Sequence, residues 1–242
     1  MEEENVELRE EPIQSKEPEV TNDFNTQESV KEEIKIQTVS ETQKGDFDIQ
    51  ASMKAILNAI KGVFTKPIDA IKEFVTDNNF IAGIIMIICA ALTTGIYKLA
   101  ILKRSYDGIS KYYKPEYLKE FFTTFGEHLL QYALLAIFGY LIISLIFKGK
   151  TTIKQMAAAV GISLSLVIIS YLASSILVFI DAEVVTHIIS YIHLFASIYT
   201  YLIMFIAVKE VGEIDKNKLF LSVACMFIAA SIGMDIYSKL FK

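Results

Sequence analysis

Very few side chains in this chain are of a type that could do chemistry. Three histidines (His128, His187, His193) and two cysteines (Cys89, Cys225) are spread along 242 residues, with no CxxC pair and no HExxH. Those are the spacings that gather metal ligands on one face of a fold. There is no nucleophile elbow, no glycine-rich phosphate loop and no cluster of carboxylates suited to acid–base work. The sequence therefore predicts no catalytic residue, no metal site and no cofactor.

What remains is a polar pattern set in apolar surroundings. Thr186, Ser190, His193, Ser197 and Thr200 recur at steps of 4, 3, 4 and 3, which puts them on one helical face. Ser163, Ser170 and Ser174 share roughly one face of the preceding apolar stretch. One reading is a polar path or small-molecule pocket with His193 as proton acceptor. The other is packing: interhelical hydrogen bonds worth about 0.6 kcal/mol each, or hydroxyls bonded to their own helix. Asp235, the acid inside the last apolar stretch, also has two readings, an intramembrane functional group or an ion pair with Lys239 one turn on.

The elements that must position these residues are long apolar runs. Apolar residues make up 53% of the chain and are concentrated after position 79. A bilayer core about 30 Å thick needs about 20 helical residues. Five runs meet that length, at about 80–102, 129–147, 156–180, 184–208 and 219–240. They are continuous and too long for barrel strands, so helices are required. The third and fourth are separated only by Asp181-Ala182-Glu183, which demands a tight antiparallel hairpin. The fold class is all-α, a five-helix transmembrane bundle.

Before the spans the pattern changes twice. Residues 1–48 form an acidic tail; the first 50 residues carry fifteen acids against five bases, and their isolated apolar residues have no period. Such a segment lacks the apolar surface to offset ordering and reads as disordered and solvated. From 49 to 76, Met53, Ile56, Leu57, Ile60 and Phe64 fall at helical spacing opposite Lys54, Asn58 and Lys61, and Pro67 restarts the pattern with Ile68, Ile71 and Val75. Two short amphipathic helices at the lipid interface fit this pattern; a cytosolic hairpin packed on the other helices is the alternative. The opening MEEENVELREEPIQ is not a cleavable signal peptide, so insertion is expected to be driven by the spans.

Orientation is nearly balanced on the positive-inside rule, nine basic residues against eight, and the long leaderless tail favours a cytoplasmic N-terminus and an outside C-terminus. The loop Lys103–His128, rich in Tyr and Phe, reads as a helix lying on the outer headgroups, or as a lid over a ligand. Ala91 and Gly95, then Ala157, Gly161 and Ser165, then Cys225, Ala229 and Gly233 recur at i, i+4 and argue for close helix packing or a dimer face. Cys89 and Cys225 read as small hydrophobes. Basic residues scattered over membrane edges exclude a nucleic-acid stripe.

Three stretches carry a family resemblance: VFTKPIDAIKEFV (Val63–Val75), KGKTTIKQMAAAVGIS (Lys148–Ser163) and IAVKEVGEIDKNKLFLSV (Ile206–Val223). With five spans behind an N-terminal tail, the chain resembles the bacterial branch of the YIP (Ypt/Rab-interacting-protein-like) membrane protein family over about Ala55–Leu240. The resemblance implies a helical bundle with the N-terminus inside, in a bacterial plasma membrane, without enzymatic activity. The tail lacks the tyrosine- and proline-containing signature of members that work with small GTPases, and lacks the zinc ribbon of related bacterial proteins.

Function is then expected to be non-enzymatic: a membrane-organising, scaffold or partner-binding role, with the lipid bilayer, other membrane proteins or a second copy of the chain as partners. The alternative is a small permease or transporter accessory subunit that uses the polar face between spans three and four.

Overall fold

The computed structural model describes residues 49–106, 116–181 and 183–241. The acidic tail and the centre of the aromatic loop lie outside the described residues. The described residues belong to one compact unit, Phe47–Lys242, and are helical, with no strand among them.

Two amphipathic helices come first, α1 (Ile49–Thr65) and α2 (Pro67–Phe74), with Pro67 in the opening turn of α2, where a missing N–H costs nothing. They turn back on each other where Gly62 meets the Ala70 side chain. A 3₁₀ turn, Asp77–Asn79, leads into the first long helix, α3 (Phe80–Tyr106).

Four more long elements follow. Helix α4 (Tyr117–Leu141) continues into a π-helical segment, Ile142–Ile146. Helices α5 (Ile153–Ser163) and α6 (Ser165–Leu177) form one span with a break at Leu164. Helix α7 (Glu183–Gly212) and helix α8 (Lys216–Phe241) complete the set. Five of these segments are long and apolar enough to cross a membrane.

Local chemistry explains two boundaries that hydropathy blurs. Thr152 accepts from the Gln155 N–H at 3.1 Å while its own N–H donates to Gln155 Oε1 at 3.1 Å, a reciprocal cap that starts α5. At the α5–α6 break, the Ser163 hydroxyl donates to the Val160 carbonyl at 2.7 Å, and the Leu164 N–H lies 3.1 Å from Gly161 O and 3.3 Å from Val160 O. A serine bonding back into its own helix competes with the backbone ladder and bends it.

The bundle is built around α3, which packs on α4, α5 and α6; α8 lies against α4, α7 against α5 and α6, and α7 and α8 also touch. The α3–α5 crossing is at backbone distance. A Cβ on Gly161 would stand 2.6 Å from the Gly83 Cα, and a Cβ on Gly83 would stand 2.6 Å from the Ala158 Cα. Gly95 and Gly233 also face close neighbours, the Phe121 and Phe138 rings. These small residues of the i, i+4 pattern are thus used inside a single chain.

Helix α4 begins about three turns before the Leu129 start read from the apolar run. The segment read as a helix on the headgroups is, from Tyr117 onward, the first turns of a continuous long helix. Phe121 stacks on Phe125 at 6.1 Å and covers Gly95, which ties this end of α4 to α3. Beside it, Arg104 on α3 donates to Val178 O at 2.7 Å and to Asp181 Oδ1 at 3.3 Å, holding the α6–α7 turn.

Candidate functional site

The four helices α4, α6, α7 and α8 leave a cavity of about 220 Å³ between them, which also reaches Leu164 at the α5–α6 break. Helix α4 contributes His128, Gln131 and Tyr132; α6 contributes Ser170 and Tyr171. From α7 come His193, Ser197 and Thr200, and from α8 Phe227 and Ser231. Among the described residues, none that carries a formal charge lines it.

Its wall is part aromatic. The His193 ring lies 4.6 Å from that of Tyr171 and 5.0 Å from that of Tyr97, and the two tyrosines are 5.4 Å apart. Across the cavity Tyr201 and Phe227 meet edge to face at 4.5 Å. His193 Nε2 is buried and has no hydrogen-bond partner among the described residues. Water-sized space beside an unsatisfied imidazole nitrogen is where a polar ligand atom would be held.

The residues singled out from sequence divide into two groups. Ser170, His193 and Ser197 come together on this cavity. Ser163, Ser174, Ser190 and Asp235 are not on it. Ser163 is fully buried and bonded to its own helix. Ser174 is buried without a hydrogen-bond partner among the described residues. Ser190 is exposed and donates to Thr186 O at 3.1 Å. Asp235 is exposed on α8, and no ion pair to it is found among the described residues. The alternating step on α7 is largely a set of back-bonds: Ser197 donates to His193 O at 2.8 Å and Thr200 to Ala196 O at 2.8 Å.

Sequence reasoning did not find His128, Gln131 and Tyr132. Their spacing is the i, i+3, i+4 signature of one helical face, hidden because the apolar run placed His128 outside the span. Among the described residues, no group of three or more His, Cys, Asp or Glu side chains is placed to hold a metal ion.

A second feature is the α1–α2 hairpin. Val63 and Ile71 are fully buried, and the Tyr199 hydroxyl donates to the Val63 carbonyl at 2.6 Å, so the α1–α2 hairpin is docked on the spans. Ile49, Met53, Leu57, Phe64 and Ile68 of the same hairpin remain exposed. The loops after the π segment and after α7 also interlock: the Lys150 N–H donates to Gly212 O at 3.1 Å, and Lys150 Nζ lies 3.4 Å from Glu213 Oε2.

A family model described as the Yip1 domain matches residues 61–235. No curated protein and no solved structure matches the chain.

Proposed function

This chain belongs to the Yip1 domain family, and from that premise we propose that it organises the membrane without catalysis, using the α1–α2 hairpin as a wedge in one leaflet. The observation that carries this reading is the two-faced burial of the hairpin. Val63 and Ile71 are 0% exposed, while Leu57, Phe64 and Ile68 are 64%, 54% and 59% exposed. An apolar stripe of that kind, flanked by Lys54, Lys61 and Lys72, is stable where acyl chains meet anionic headgroups.

Depth supports the same reading. Tyr199 stands ten residues before Lys209 on α7, a rise of about 15 Å. Its side chain leans toward the helix N-terminus, away from Lys209. The bend of the hairpin therefore reaches below the level of Lys209 and occupies area in one leaflet only. We place the hairpin and the N-terminus on the cytoplasmic side and the C-terminus outside, in a bacterial plasma membrane, with other membrane proteins or a second copy as further partners.

Vesicle shape tests this. The full chain reconstituted into phosphatidylglycerol-containing vesicles should reduce their mean diameter relative to protein-free vesicles. A Leu57→Glu, Phe64→Glu, Ile68→Glu variant should keep the helical content of the bundle and lose the effect. Unchanged vesicle size with the unmodified chain refutes the wedge.

The cavity beside His193 favours a second reading, a small permease or transporter accessory subunit. His193→Leu would then abolish uptake of a solute while the folded bundle survives. If that substitution alters stability alone, the permease reading is lost.

A further inference from the structure

The cavity between α4, α6, α7 and α8 is open on a particular side. Gln131, Ser197, Tyr201 and Ser231 line it and are exposed. Each sits near the middle of a helix 25 to 30 residues long, hence at the depth of the hydrocarbon core. The Ser197 hydroxyl already donates to His193 O at 2.8 Å, but the remaining donor and acceptor sites of these amide and hydroxyl groups find no partner among acyl chains, so such a mouth is costly when it faces lipid tails alone.

The lining limits what can fill it. A phosphate or carboxylate is held by lysine or arginine, and among the described residues no charged side chain lines the cavity, so a phosphate-bearing head, zwitterionic ones included, has no counter-charge there. Imidazole, amide and hydroxyl groups instead match an uncharged group rich in hydroxyls, which both donates and accepts. The Tyr171 and Phe227 rings offer apolar walls for the C–H faces of such a group. A volume of about 220 Å³, open on one side, has room for a glycerol or a single sugar ring.

We propose that this cavity binds the uncharged, hydroxyl-bearing head of a lipid, admitted sideways between α4, α7 and α8, with His193 Nε2 as an acceptor for one hydroxyl. The site is separate from the hairpin wedge and stands or falls independently of it.

The chain contains no tryptophan, so Phe227→Trp places a single reporter on the cavity wall. The full-length variant in phosphatidylcholine nanodiscs should change its emission saturably as monoglucosyl diacylglycerol is added. Phosphatidylglycerol at the same mole fraction should leave it unchanged. Gln131→Leu and Ser197→Leu, both on the lipid-facing mouth where leucine is well tolerated, should weaken the response about tenfold. Native mass spectrometry of the unmodified chain gives the same comparison without the reporter, as retained glucolipid against retained phosphatidylglycerol. A full response to free glucose in lipid lacking the glucolipid keeps the hydroxyl chemistry but refutes lipid as the source. Equal retention of both lipids, or of neither with no response to glucose, overturns the proposal.

Discussion

The Tyr199 hydroxyl donates to the carbonyl of Val63 across 136 residues, at 2.6 Å. Val63 closes the last turn of α1, where carbonyls have no partner within the helix. One phenol therefore both satisfies a helix end and fixes the hairpin to the middle of a span. Tyr199→Phe keeps the ring and removes the bond, at a cost of about 1 kcal/mol. Amides of Gly62–Ala70 should then exchange about fivefold faster while those of α3 and α5 do not change. Hydrogen exchange read by mass spectrometry checks this, and uniform acceleration would show that the bond has no local role.

Two glycines should respond to alanine with opposite signs. At Gly161 a Cβ would stand 2.5 Å from the Gly83 carbonyl oxygen, where only backbone can move; at Gly126 nothing lies within 4 Å. Gly161→Ala should destabilise the bundle by about 1–3 kcal/mol, the cost of forcing a methyl into packed structure. Gly126→Ala should stabilise α4, by up to about 1 kcal/mol from helix propensity. Thermal unfolding in one detergent, comparing the two variants, decides the matter.

The number of spans was legible because hydropathy is a one-dimensional signal, and Pro67 marked the start of α2 for a local reason. The α3–α5 contact was only half legible: the i, i+4 pattern picked out Gly161, but its partner Gly83 lies outside any such pattern. The cavity was least legible. It is assembled from four helices whose relative placement no single periodicity encodes, and its α4 wall was cut off by placing the span boundary at Leu129. Asp181 drew notice only as part of a short turn, yet Arg104, 77 residues away, holds that turn.

Arg104 makes two bonds of unequal worth. Its Nη1 reaches the Val178 carbonyl at 2.7 Å, while the carboxylate of Asp181 is fully exposed. A hydrogen bond from a charged donor contributes about 1.5–3 kcal/mol, whereas an exposed ion pair contributes less than about 1 kcal/mol. Arg104→Gln should therefore loosen the α6–α7 turn far more than Asp181→Asn. Exchange rates at Val178–Ile180 in the two variants, at low and high salt, measure the difference. Equal effects would mean that the ion pair, not the carbonyl bond, holds the turn.

Asp235 and Lys239 share a face of α8 at i, i+4 spacing, but both are exposed and no ion pair between them is found among the described residues. Asp235 also lies off the cavity. A double-mutant cycle of Asp235→Asn and Lys239→Gln should give a coupling below about 0.5 kcal/mol, at the low end of exposed helical pairs. Asp235→Asn alone should leave lipid binding at the cavity intact. It should also raise bundle stability slightly, since a lone carboxylate within a span is costly. A coupling of several kcal/mol would place the two groups in contact in the membrane, and a loss of lipid binding would bring Asp235 into the site.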